Sequence, residues 1–299
     1  MPFYDFIISD LTLLIPCIIA FIVLLIGSYT DLKTREVPDW VNFGLIAIGF
    51  GINILFSIIY WKMNFIVNSM IGFGIFFAIA WIMFHTGQWG GGDSKMLMGL
   101  GSLIGIDVFS KSFPFLASFL INILIVGALY GIAWSIALIF RNRRAFSRAF
   151  ARMLKEKKIA MARKMVFMFF IAMVLLAFIP KDTLARMMML YAAVISALTF
   201  YLWLSVRAVE DSCMLKYVSP EKLTEGDWIA KDIKIGGKYI AGPKDLGIEK
   251  KQIKKLMELY KKRKVKKVLI KEGIPFVPSF LIAFILTIIF GNLMFIIFY

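Results

Sequence analysis

The chain has 299 residues, 60% of them hydrophobic, and a mean hydropathy of +0.81. Lys and Arg total 35 against 19 Asp and Glu, a formal net charge of +16. This composition excludes an ordinary soluble domain, because several apolar runs reach the roughly 18 to 20 residues a helix needs to cross a bilayer. Two cysteines, Cys17 in an apolar run and Cys213 far from it, support neither a disulfide framework nor a zinc site.

The first apolar run, 11–29, follows a stretch that carries Asp5 and Asp10 but no basic residue. It lacks the positive n-region of a signal peptide and is read as a span. The expected spans are 11–29, 41–60, 65–85, 94–109, 114–140, 165–180, 187–206 and 277–298. At 1.5 Å per residue the fourth and sixth, about 16 residues each, fall short of an about 30 Å hydrocarbon core. The fold expected is therefore an all-α polytopic membrane protein of about eight transmembrane helices, two of them short. A small cytoplasmic α+β insertion precedes the last helix. The organisation expected is a transmembrane core over 1–140, a basic loop with an extra helix pair over 141–206, the insertion over 207–274 and a closing helix over 275–299.

Orientation follows from the loop charges. Residues 141–164 carry a dense run of Lys and Arg against the single acid Glu156, so this segment is expected on the cytoplasmic side. Counting spans outward puts 30–40, 86–93 and 207–276 on the same side. The N-terminus, 61–64, 110–113, 181–186 and the C-terminus are then extracellular. The Lys-rich insertion agrees independently. These basic segments flank spans and lack interleaved stacking aromatics, so their expected partners are anionic lipid headgroups and not nucleic acid.

Within 207–274, residues 227–240 alternate partly around Gly236 and Gly237, which predicts a hairpin. Apolar residues at Ile248, Ile253, Leu256, Met257 and Tyr260 predict a helix, and 265–270 a further strand. A unit this small has a modest core.

Two aspartates sit where long apolar segments meet short polar ones: Asp31 after the first span and Asp93 after the third. Two crossings separate them, so both are expected at the cytoplasmic face. Charge at membrane depth is costly and tends to be kept for function. Two carboxyls in hydrogen-bond reach share one proton, because both cannot ionise cheaply. Such a pair hydrolyses peptides without a metal, a cofactor or a Ser or Cys nucleophile: one carboxylate takes a proton from water while the protonated partner donates to the scissile carbonyl.

Gly90, Gly91 and Gly92 impose no Cβ restriction, so the chain before Asp93 is expected to turn sharply and to approach a bound peptide closely. The same residues read equally as a loop ended by an Asp cap. Lys95 is placed to stabilise the carboxylate or orient a peptide, or to snorkel to the headgroups. Around Asp31, Pro38 is expected to start a helix and Trp40 to sit at the interface. Farther along, Gly101 and Gly105 predict tight helix packing. His85, the single histidine, is read as a helix-end residue.

The two motifs in order carry a resemblance. Gly90-x-Gly92-Asp93 with Lys95 resembles the GxGD signature of type IV prepilin peptidases, and Asp31-Leu32-Lys33 with Val37-Pro38 is similar to their first aspartate motif. The likeness is closest to the archaeal prepilin and preflagellin peptidases. It covers 11 to about 140 well, and 272–279 with the last span more loosely. It implies an intramembrane aspartyl endopeptidase with Asp31 and Asp93 as its dyad. Such an enzyme cleaves class III signal peptides of prepilins or prearchaellins at the cytoplasmic face, between a basic leader and the hydrophobic segment. Glu36 and Asp39, with Asp227 beyond them, are then candidates to meet the basic leader on an otherwise basic face. Residues 141–206 match nothing in the family's minimal plan. Bacterial relatives carry an N-terminal methyltransferase module, and N-methylation is not expected of this chain. The competing reading is an ion-coupled transporter with Asp31 and Asp93 as cation or proton sites. Against it stand the missing internal repeat and the position of both aspartates at span ends. A non-catalytic scaffold that recruits partners through its basic segments is a third reading.

Overall fold

The computed structural model describes residues 10–108, 113–235 and 237–298. Asp5, most of the expected outer loop 110–113, and Gly236 lie outside the described residues. The chain divides into two compact units, Met1–Gly131 with Pro220–Lys266 and Glu272–Tyr299, and Ile132–Ser219 with Lys267–Lys271.

The first unit begins with α1 (Leu11–Thr34), α2 (Asp39–Ile59), α3 (Asn64–His85) and the short α4 (Gly91–Ile104). It continues into α5 (Phe115–Arg141), which crosses the boundary between the units. The Asp10 carboxylate caps α1 by accepting the Thr12 N–H at 2.8 Å. At the other end Arg35, at φ 63°, stops the helix with its N–H on the Asp31 carbonyl. Pro38, at the N-cap position, starts α2.

At the centre of this unit lies α4, with Met96, Leu97, Leu100 and Leu103 fully buried. A Cβ on Gly101 would stand 2.6 Å from the Gly72 carbonyl oxygen, and one on Gly105 2.9 Å from the backbone of Asn68. The expected small-residue packing is thus a contact with α3. On the α2 side Leu45 fills the space beside Gly99.

α4 ends at Ile104, five residues before the expected end of the fourth span, because Gly105 leaves the helix at φ 71°. Carbonyls freed inside an apolar bundle must find donors. Asn53 Nδ2 donates to Ser102 O at 3.2 Å and Leu103 O at 3.0 Å, Ser69 Oγ also donates to Ser102 O, and the Ile106 N–H reaches Asn68 O.

The last span also differs from expectation. Instead of running over 277–298 it breaks at Gly291, φ 72°, into α10 (Val277–Phe290) and α11 (Leu293–Phe298). Buried Asn122 holds the break: its Nδ2 donates to Gly291 O and Thr287 Oγ1, and its Oδ1 accepts the Leu293 N–H. Beneath it Phe119, Phe280 and Phe284 form the aromatic core.

The insertion contributes strand β2 (Trp228–Ile229), the hairpin β3 (Ile233–Ile235) and β4 (Lys238–Ala241), and helix α9 (Lys250–Lys261). The hairpin pairs Lys234 with Tyr239 and Ile235 with Lys238. Gln252 joins the pieces, accepting the Glu249 N–H and donating to Ile240 O on β4.

In the second unit the expected basic loop is helical. α6 (Arg143–Lys155) precedes α7 (Lys157–Leu176) and α8 (Thr183–Ser212). Basic side chains are good helix formers, and Phe146, Ala149, Phe150 and Met153 make an apolar stripe against Leu204 and Ala208 of α8. Arg152 pairs with Asp211, and strands β1 (Leu215–Val218) and β5 (Val268–Lys271) pair antiparallel. The sixth span, expected short over 165–180, is a 20-residue helix whose first turns use the basic segment.

Among the described residues six helices, α1, α2, α3, α5, α7 and α8, are long and apolar enough to cross a membrane, and α10 is a shorter apolar helix. With the sheet-bearing insertion before α10, the fold is the expected polytopic helical membrane protein. The two short members are α4 and α10, 14 residues each.

Candidate functional site

Asp31 lies in the last turn of α1, one turn beyond Gly27 on the same face. A Cβ on Gly27 would stand 2.7 Å from Met96 Cε and 3.2 Å from Val277 Cγ1, so α4 and α10 both press on α1 here. The Asp31 side chain is 5% exposed, and its Oδ2 accepts the Val277 N–H at 3.0 Å. Val277 opens α10, where backbone donors lack helical partners and the helix dipole favours negative charge. Asp31 therefore ends one helix and caps another. Arg35 and Tyr130 lie within its electrostatic reach.

Asp93 is the third residue of α4, not its cap; Gly90 holds the cap position. The Asp93 Oδ2 accepts the Gly90 N–H at 3.1 Å, and the carboxylate lies within electrostatic reach of Asp31. The left-handed turn before it falls at Gly87, φ 69°, whereas Gly90 is extended and Gly91 and Gly92 already belong to the helix. The sharp turn expected at the three glycines is thus made upstream. Gly92 instead leaves room for Val37, whose Cβ is 3.4 Å from a Cβ built there.

Lys95 and Asp39 bind each other, Nζ to Oδ1 at 2.6 Å, and the ammonium also lies over the Phe43 ring. Glu36 is exposed in the linker between α1 and α2. Asp227 accepts the Thr224 N–H at 2.8 Å, and burial pushes its carboxyl above the usual range, with Glu272 adding in the same direction. His85 sits at the end of α3, its Nδ1 2.9 Å from Trp81 O and its ring against Trp81.

The sequence reading missed the first turn of α10. Its backbone reaches Asp31 across 246 positions, and Trp89, 6% exposed, packs on Phe276 and Phe280 at ring-centroid distances of 6.0 and 5.4 Å. Pro275 and Pro278 flank this turn and mark a helix start, but nothing local says what the turn touches.

Fold and site define a multi-pass helical membrane protein with two carboxylates gathered in its core from helices distant in sequence. Residues 18–132, a segment that contains both aspartates, match the type IV leader peptidase family. The chain is similar to the preflagellin peptidase of Methanocaldococcus jannaschii, 34% identical over 133 residues, 42% of this chain and 56% of that protein. It is also similar to that of Methanococcus maripaludis, 31% identical over 137 residues, 43% of this chain and 59% of that one. With the Methanococcus voltae preflagellin peptidase the identity is 38% over 95 residues, 32% and 39% of the two chains. The chain thus spans less than two thirds of the length of each of these relatives.

Proposed function

We propose that the protein is an intramembrane aspartyl endopeptidase that removes class III signal peptides from archaeal prepilins or prearchaellins. The observation that carries the reading is that α1 and α4 bring Asp31 and Asp93 within electrostatic reach of each other. The similarity to two preflagellin peptidases supports the substrate class.

In this reading the pair holds one proton. The ionised carboxylate takes a proton from water, the oxygen attacks the scissile carbonyl, and the other carboxyl donates to the carbonyl oxygen. The tetrahedral diol collapses as the departing amine takes a proton from one carboxyl and a diol hydroxyl gives its proton to the other, which restores the singly protonated pair. Substrate meets the dyad at the cytoplasmic face, with both termini of the chain outside. Gly90, Gly91 and Gly92 flank the peptide backbone, and Glu36 with the Lys95–Asp39 pair lies along the path of its basic leader. The exposed cations of α6 rest on anionic lipid headgroups.

The test is cleavage of a membrane-embedded prepilin or prearchaellin by the purified chain. Asp31→Asn and Asp93→Asn each lower the rate by about 100- to 10,000-fold, and chelators leave the wild type unchanged. Cleavage that survives the loss of either carboxylate rejects the dyad. Cation transport that needs both aspartates, without cleavage, establishes the competing transporter.

A further inference from the structure

One short piece of chain touches Asp31 directly and also packs on the residue that leads into the Asp93 helix. The first residue of α10, Val277, donates its N–H to the Asp31 carboxylate at 3.0 Å. On either side of Val277 in sequence, Phe276 and Phe280 grip the Trp89 ring, and their own rings stand 5.6 Å apart. Trp89 precedes the cap residue of α4 and lies four residues before Asp93. Its backbone N–H is bonded back to Met83 O, which ties the strap between α3 and α4 to the end of α3.

α5 closes the far side. A Cβ on Gly127 would stand 2.5 Å from Phe276 Cζ, so the glycine leaves the space in which that ring lies. Packed aromatic cores do not deform continuously, because density near that of a crystal leaves no room for small slides.

We propose that the first turn of α10 couples the two aspartates, fixing Asp31 through the Val277 amide and Asp93 through Trp89, and that Trp89 is a positioning residue for the pair. This inference rests on the dyad reading. A buried tryptophan near a glycine-rich loop is by itself ordinary core. What distinguishes this one is that its two aromatic partners flank the residue that binds the other aspartate. Loosening Trp89 changes the separation of the carboxylates, and a misplacement of about 1 Å costs on the order of 100-fold in rate.

A coupled pair is active over a pH window whose width reflects how strongly the two groups interact. Weaker interaction brings the acid and alkaline limbs together. The purified chain, assayed on a membrane-embedded prearchaellin between pH 4 and 9, is expected to give a narrower bell and an about 10- to 100-fold lower kcat for Trp89→Ala, with KM nearly unchanged. Trp89→Phe is expected to restore most of the width, since a ring again fills the gap between Phe276 and Phe280. Phe276→Leu is expected to narrow the bell as well, and it reads the coupling if Trp89→Ala does not fold. Thermal melting of each variant separates lost protein from lost positioning.

Wild-type bell width and kcat in folded Trp89→Ala, or in Phe276→Leu where Trp89→Ala does not fold, overturn the coupling while the dyad stands. Cleavage retained by Asp31→Asn or Asp93→Asn overturns the dyad, whatever the Trp89 variants do.

Discussion

Asp31 and Asp93 differ from the acids near them in sequence, Glu36 and Asp39, in what holds them. Asp31 is fixed by a backbone amide and Asp93 by the amide of its own helix cap, whereas Asp39 is paired to Lys95 and Glu36 is exposed. The resemblance offered Asp39 as an acid to meet the basic leader, and Lys95 was read as a contact to the carboxylate or a peptide or as a snorkelling cation; the fold pairs the two with each other, joining the N-termini of α2 and α4. Asp227 carries a prediction of a different kind. Burial raises its carboxyl above the ordinary value near 4, so folding takes up a proton there. The sign follows: stability from this group is complete below about pH 4 and falls as pH rises through the raised value. Asp227→Asn keeps the acceptor for the Thr224 amide and removes the charge. The variant is expected to lose that component of pH-dependent melting, measured by thermal scans from pH 3 to 8, and an unchanged pH dependence counts against it.

Among the elements, α4 does the most to set the site, although at 14 residues it is shorter than the helices around it in the chain, α1, α2, α3 and α5. Its position depends on glycines facing α3 and on Asn53 and Ser69 satisfying its final carbonyls. Gly101→Ala puts a methyl against the Gly72 backbone and is expected to destabilise the fold by about 1–3 kcal/mol, as overpacking does. Gly74→Ala, on the same face-to-face pair of helices but with nothing within 4 Å of the new methyl, is expected to be neutral. Heat denaturation in detergent compares the two, and equal midpoints reject the close-packing account. The spacing of Gly101 and Gly105 made this contact readable in the sequence. The partner helix was not readable, because small-residue spacing marks a face without naming its neighbour. The break of the last span at Gly291 was hidden for a related reason: the residue that satisfies it, Asn122, stands 169 positions away.

At the scale of the whole molecule, the charge bias of the loops sets the proposed orientation. Single cysteines near Glu36 and at Arg148 are expected to react with an impermeant maleimide only from the cytoplasmic side, and one at Lys62 only from outside. Labelling of the Glu36 position from outside overturns the span count and moves the proposed cleavage to the other face. The basic segment between α5 and α7 keeps its place in this scheme although it is a helix and not a loop. Its exposed cations are consistent with the interface, while its apolar stripe is used up on α8.

The sequence by itself determined the class of protein, because hydropathy over a span length leaves a helix as the only economical way through a bilayer. It also marked both aspartates and the hairpin-and-helix character of the insertion, all of which depend on local pattern. Only the tertiary structure decided that the second short helix is α10 and not the sixth span, that the left-handed turn lies at Gly87, that Val277 binds Asp31 and that Trp89 packs on Phe276. Helix ends inside a bundle are set by whichever distant side chain can satisfy the freed backbone groups, and a contact across 246 residues leaves no trace in local periodicity.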